Sequence, residues 1–220
     1  MPIISFFKSV RDANNPFNKD ISYALKRIQE GHSKDFINQL RQMSDEDYAK
    51  NKGALPGCCF NGKFRQRSLV GLIEHSGFIV LDFDKFDSKE DAITMRDSIS
   101  SDEYVYSAWL SPSGKGIKVL IKIPAKAENH KGYFQSLKSH FNHPNWDESG
   151  SDVSRFCFES YDPDIYINLE SSVWITLEEP ELEDIGVSEP VVRLTSENQI
   201  IENLITWWKK KYGMTIGKKN

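Results

Sequence analysis

Asp82 and Asp84 are the residues whose types and spacing point most directly to chemistry. They close the run Gly77-Phe78-Ile79-Val80-Leu81-Asp82-Phe83-Asp84. In a strand, residues i and i+2 share a face. The two carboxylates therefore project side by side from the end of an otherwise apolar strand. Held that way they repel each other unless a cation lies between them. Oxygen ligands in such pairs suit Mg²⁺ or Mn²⁺, ions that organise phosphoryl chemistry. The plain alternative is a strand that ends in a solvated acidic turn.

Two further stretches carry groups that suit the same chemistry. In Ser111-Pro112-Ser113-Gly114-Lys115-Gly116-Ile117-Lys118, small residues let backbone N–H groups approach an anion, and lysines supply counter-charge. The GxxxxGK[ST] spacing of a Walker A loop is absent, and the same residues also suit an ordinary hairpin turn. The second stretch, Trp146 to Arg155, offers a third carboxylate at Asp147 or Asp152 and Arg155 as a phosphate partner. Its structural alternative is Asp152 capping a turn with Arg155 paired to it. Basic residues flank the acidic strand: Lys63, Arg65 and Arg67 before it, Lys115, Lys118 and Lys122 after it. A charge run is usually a solvated face; these gain meaning from the carboxylates between them.

The elements that must position these groups are readable from periodicity. The first fifty residues read as helical: Asp20 caps a helix carrying Ile21, Ala24, Leu25 and Ile28, a second holds Phe36, Ile37, Leu40 and Met43, and Ser44 caps a third. Leu55-Pro56-Gly57 breaks the pattern. The order is then strand 78–82, helix 88–98, strand 104–110, turn 111–116, strand 117–123, helix 129–141, strand 156–159 and a strand at 165–167. That is β-α-β-β-α-β, a ferredoxin-like or RRM-like arrangement in an α+β chain. Its usual order places the first and third strands together, with the fourth beside the first. Ile117, Val119, Ile121 and Ile123, with Ile79, Leu81 and Phe83, should then face the helices. Lys118, Leu120 and Lys122, with Val80, Asp82 and Asp84, should face an open side.

The 220 residues are 39% hydrophobic and 27% charged, ordinary for a soluble globular domain. No apolar stretch approaches the roughly 20 residues of a membrane span, and the N-terminus lacks a secretory core. Cys58, Cys59 and Cys157 make no disulfide framework or CxxC metal pattern, which suits a reducing cytoplasm. The five histidines show no ligand-like pattern beyond His140-x-x-His143, read as capping or surface. The net charge of −4 argues globally against a nucleic-acid protein, but the charge is uneven. Residues 178–195 read as an acidic linker. Residues 196–220 read as an amphipathic helix with Ile200, Ile201, Leu204, Ile205, Trp207 and Trp208, the start of a following region.

In this order the three chemical stretches resemble the motifs of the archaeo-eukaryotic primase, or primase-polymerase, superfamily. That superfamily carries an hhhDhD/E strand, an SxH-type strand and an hD/Eh motif. Here these read Ile79 to Asp84, Ser113 to Lys118, and Asp147 with Asp152 and Arg155. Leu55 to Asp84 and the Ser-Pro-Ser-Gly-Lys-Gly-Ile-Lys segment are similar to the VirE N-terminal-like primase domain of bacterial mobile-element proteins. The resemblance covers about residues 50–170. It implies a catalytic domain over 1–177, with an N-terminal helical part at 1–55 belonging to an α/β unit, an RRM-like unit at 77–168, and a cleft between them. It implies DNA primase-polymerase-type nucleotidyl transfer with two divalent metals on Asp82, Asp84 and Asp147, and Asp152 as the other possible ligand. Ser113, Gly114, Lys118 and Arg155 would hold a nucleoside triphosphate, and Lys63, Arg65 and Arg67 single-stranded or primed DNA. A helicase-like or helical domain would follow. One departure stands out: the superfamily's histidine is Lys118 here, which holds phosphate as a point charge but offers no neutral imidazole. The alternatives are a non-catalytic nucleic-acid-binding module on the same fold and a metal-dependent phosphodiesterase.

Overall fold

A computed structural model describes residues 1–178 and Thr206. The chain divides into one unit spanning Met1–Pro180 and another spanning Glu181–Asn220. Glu178 and Thr206 apart, the expected acidic linker and C-terminal helix lie outside the described residues. The described residues form an α+β fold with five α-helices and three antiparallel sheets. None of their helices is long and apolar enough to cross a membrane.

The helical reading of the first fifty residues needs correction at its start. Ile3–Phe7 is strand β1 and Phe17–Asp20 is strand β2. Ile3, Ile4, Phe6 and Phe7 are β-branched or aromatic, types that fit a pleated surface, and helical spacing begins only after Asp20. From there the sequence holds. Asp20 accepts a hydrogen bond from Tyr23 N and caps α1 (Ile21–Glu30). Then come α2 (Lys34–Leu40) and α3 (Asp45–Asn51), the latter capped by Ser44. Strands β3 (Gly57–Cys59), β4 (Gly62–Phe64) and β5 (Leu72–His75) follow.

The second half runs β6 (Phe78–Phe83), α4 (Lys89–Ile99), β7 (Val105–Leu110), β8 (Ile117–Lys122) and α5 (His130–Phe141). The short strands β9 (Cys157–Phe158) and β10 (Tyr166–Ile167) end it. Ser88 and Asp91 form a full capping box on α4. Strand β8 is central, paired to β6 and β7, as the pattern implied.

The fourth strand departs from the expected order. β9 pairs with β3 in the first sheet, ordered β2-β1-β3-β9, and β10 pairs with β7 in the second, ordered β10-β7-β8-β6. The free edge of β6 is met instead by residues 145–147. Asp84 N donates to Asn145 O at 2.8 Å, and Asp147 N to Asp82 O at 2.9 Å.

The two-faced alternation of β6 and β8 is as the sequence implied. Ile79, Leu81, Phe83, Ile117, Val119 and Ile121 pack against α4 and α5. The opposite face is not open. Phe78, Val80, Leu120, Tyr106 and Trp109 share a core with Ile4, Phe6, Cys58 and Cys157 of the first sheet and with α1. The reason is chemical: both faces of these strands are apolar, and each fully buried side chain contributes about 1.5–3 kcal/mol, so both need a cover. At the end of β6 the apolar residues give way to Asp82 and Asp84, and there the strand opens into a cleft.

Candidate active site

The cleft has a volume of about 840 Å³. Its floor is built from the paired ends of β6 and β8, where Asp82 and Lys118 are cross-strand partners. Lys118 Nζ donates to Asp82 Oδ1. Arg155 Nη2 donates to Asp82 Oδ2 at 3.1 Å and to Asp147 Oδ2 at 2.9 Å. Asp82 is 4% exposed and Lys118 8%. Three stretches far apart in sequence thus meet in one ion-pair cluster.

Each member's charge state follows from its surroundings. Burial works against the Lys118 ammonium, but Asp82, with Cys157 and Asp84 near, raises its pKa above the usual lysine range. Burial likewise opposes the Arg155 guanidinium, and Asp82 and Asp147 overcome it. Asp147 sits below the ordinary carboxylate value: burial raises it, yet hydrogen bonds from Ser149 N and Oγ, and then Arg155, outweigh that. Asp84 moves the other way. Burial raises it; Lys118 opposes the rise, and Asp82 and Asp147 add to it. Among the described residues no group donates a hydrogen bond to the Asp84 carboxylate, which lines the cleft.

Local packing fixes these positions. Trp146 stacks edge-on to Phe83 at 5.4 Å and tilts against Phe134 at 4.9 Å, and so carries Asp147 to the β6 edge. Asn145 Nδ2 donates to Asp84 O at 2.7 Å. Gly116 lets Asp84 lie against β8: a Cβ there would stand 2.4 Å from Asp84 Oδ1 and 2.8 Å from Phe83 O.

The Ser111–Gly116 segment is a turn, with Gly114 N donating to Ser111 O at 2.9 Å and Gly114 at φ 76°. Ser113 lines the cleft and its Oγ lies 3.0 Å from Ser111 Oγ. Gly114 itself is not among the lining residues. Arg41, at the end of α2, donates to Pro112 O at 3.1 Å and Ser111 O at 3.2 Å. Tyr48 of α3 meets Ser113 and lines the cleft. Sequence reasoning missed both, since an Arg after a helix and a Tyr in one look like surface residues until the fold brings them to the turn.

The remaining expected residues divide. Asp152 lines the cleft, but its Oδ1 accepts from Ser154 N at 2.8 Å and Ser154 Oγ at 3.0 Å, a local turn. Arg155 pairs with Asp82 and Asp147 rather than with the Asp152 side chain. Of the three basic residues before β6, only Arg67 lines the cleft, held by Val10 O at 2.6 Å and stacked over Phe156 at 5.2 Å. Lys63 lies on β4 and Arg65 is exposed just beyond it.

Among the described residues no three His, Cys, Asp or Glu side chains stand together as a ready metal site. The donor chemistry nonetheless suits a hard divalent cation. Asp84 offers a carboxylate with no donor among the described residues, and Asp82 and Asp147 are held by cations that another anion can draw away.

Residues 50–167 match the family model described as BT4734-like, N-terminal domain. No curated protein and no solved structure matches the chain.

Proposed function

The chain belongs to the BT4734-like N-terminal domain family, and from that premise we propose that it is a primase-polymerase-type nucleotidyltransferase domain of a mobile-element replication protein. One observation carries the reading: Asp82, Lys118, Asp147 and Arg155 converge in one ion-pair cluster beside Asp84, whose carboxylate receives no hydrogen bond from the described residues. The succession β6-α4-β7-β8-α5 supports an RRM-like unit with an altered fourth strand.

Asp84, Asp82 and Asp147 are the residues to hold Mg²⁺ or Mn²⁺. Bound there, the ions would lower the pKa of an attacking hydroxyl and stabilise a leaving pyrophosphate. Lys118 and Arg155 supply point-charge and forked contacts to a triphosphate, and the turn carrying Ser113 and Gly114 shapes the wall beside it. Arg67 is the cleft's contact to a template backbone, with Lys63 and Arg65 on the neighbouring hairpin.

The test is primer extension on a primed template with labelled deoxynucleotides and Mn²⁺. Wild type should extend. Asp84→Asn should abolish extension while DNA affinity stays level or rises, because a negative charge leaves the cleft. Extension by the variant equal to wild type would sink the assignment. A second reading, a binding module without chemistry, is favoured by the buried Lys118 that occupies Asp82 where the superfamily has histidine. On that reading wild type extends nothing, yet binds DNA with affinity that falls steeply with salt.

A further inference from the structure

Resting on that reading, the ion pairs at the cleft floor bear on how the site fills. We propose that the protein's own charges neutralise the site before ligands bind, with Lys118 and Arg155 standing in for a divalent cation on Asp82, so that metal and nucleoside triphosphate bind cooperatively.

Both oxygens of Asp82 are occupied by the protein's own cations, Oδ1 by Lys118 and Oδ2 by Arg155 at 3.1 Å. Asp147 shares the same Arg155 nitrogen at 2.9 Å. A divalent cation arriving alone must displace the ammonium or the guanidinium from Asp82. The ammonium, if displaced, is left buried without its partner and beside a dication; the guanidinium, if displaced, keeps Asp147 but faces the same dication. Uncompensated buried charge is strongly unfavourable. A triphosphate arriving alone meets the converse difficulty. It must draw Lys118 and Arg155 away, leaving Asp82, Asp84 and Asp147 facing one another and a polyanion.

When both arrive, partners are exchanged rather than lost. The carboxylates pass from Lys118 and Arg155 to the metal, and the two cations pass to phosphate oxygens. Every buried charge keeps an opposite neighbour. Asp84, with no donor among the described residues, is the foothold from which the exchange begins. Linkage makes the coupling reciprocal, typically about 5–150-fold for two communicating ligands.

Two substitutions should act in opposite senses. Lys118→Met keeps an apolar stem but removes the internal counter-cation. Followed by electron paramagnetic resonance of free Mn²⁺ without nucleotide, it should bind Mn²⁺ at least about tenfold more tightly than wild type, inside the usual coupling range. Asp82→Asn frees Lys118 for phosphate and leaves Arg155 with one carboxylate, Asp147, in place of two. With EDTA present, its affinity for a non-hydrolysable deoxynucleoside triphosphate should rise by a similar factor. Each variant is first checked for a cooperative melt. If Lys118→Met does not fold, Arg155→Gln, whose side chain is 28% exposed, carries the metal arm with the same sign. Nucleotide-free Mn²⁺ affinity in the variant equal to or weaker than wild type would overturn the proposal. Loss of primer extension with these shifts intact would instead count against the nucleotidyl-transfer reading alone.

Discussion

Whether Asp82 and Lys118 form a true buried pair can be measured as stability, independently of any ligand. Asp82→Asn removes the carboxylate used by both Lys118 and Arg155. Arg155 keeps Asp147 at 2.9 Å and Ser149 O at 3.3 Å. Lys118 keeps at most a neutral amide oxygen in place of the carboxylate, and the nearby charges of Asp84 and Asp147 steady it. Removing one partner of a buried pair costs about 3–5 kcal/mol, and Asp84 places this case near about 3. Lys118→Met is milder, because Asp82 still has Arg155 and methionine fills part of the lysine stem's volume. Its expected cost is about 1–2 kcal/mol, below the range for leaving a buried charge wholly unpaired. The double variant should cost less than the two losses added, by at least about 1 kcal/mol, as contacting residues do. Urea unfolding of the four proteins gives the cycle directly. Additivity within about 0.5 kcal/mol, or a larger loss for Lys118→Met than for Asp82→Asn, would refute the pairing.

Other outcomes follow from individual contacts. Gly116→Ala should cost about 1–3 kcal/mol, as overpacking does, and should weaken Mn²⁺-nucleotide binding, because its Cβ would meet Asp84 Oδ1 at 2.4 Å and the β6 backbone at 2.8 Å; equal binding to wild type in calorimetry would count against Asp84. His75 Nε2 lies 3.0 Å from His130 Nδ1; burial lowers both, and with His75 beside it His130 falls to about 3. The unfolded chain protonates these rings below about pH 6.5, whereas the folded chain resists. Stability is therefore full above that pH and falls below it, by up to about 1.4 kcal/mol per pH unit for each ring. Urea titrations from pH 7 to 4.5 read this, and His130→Gln should flatten the fall. Arg67→Ala should lower the salt slope of DNA binding by about 1, and Arg65→Ala, outside the cleft lining, by less; equal slopes would remove Arg67 from the interface.

Local chemistry was the legible part of this fold. Asp20 and Ser44 marked helix starts because a capping oxygen needs only its neighbours, and the alternation on β6 and β8 sorted their faces correctly. Partner choice was not legible. Nothing within Phe156–Glu159 says that it pairs with β3 rather than with β6. Nor does Ile3–Phe7 announce the strands it joins, Phe17–Asp20 and Gly57–Cys59. The cover of the expected open side was hidden for the same reason: Val80 and Leu120 are apolar on that face, but Ile4, Phe6, Cys58 and Cys157, which pack on it, lie far away in sequence. At the site, the preference for Asp147 over Asp152 came from the family resemblance; Asp82 and Asp84 could be read from spacing, Lys118 from strand alternation and Arg155 from residue type. That Lys118 answers the repulsion at Asp82 could not, since it depends on the cross-strand register Asp82↔Lys118. Arg41 and Tyr48 reach the turn only through the packing of α2 and α3.

The most direct measurement is a crystal structure of the chain with Mn²⁺ and a non-hydrolysable deoxynucleoside triphosphate, with the metal located by anomalous scattering. The account predicts a Mn²⁺ peak at about 2.0–2.3 Å from carboxylate oxygens of Asp84 and Asp82, as hard divalent ions bind, with Lys118 and Arg155 turned onto phosphate oxygens. Nucleotide and metal bound elsewhere, with Lys118 still on Asp82, would contradict it.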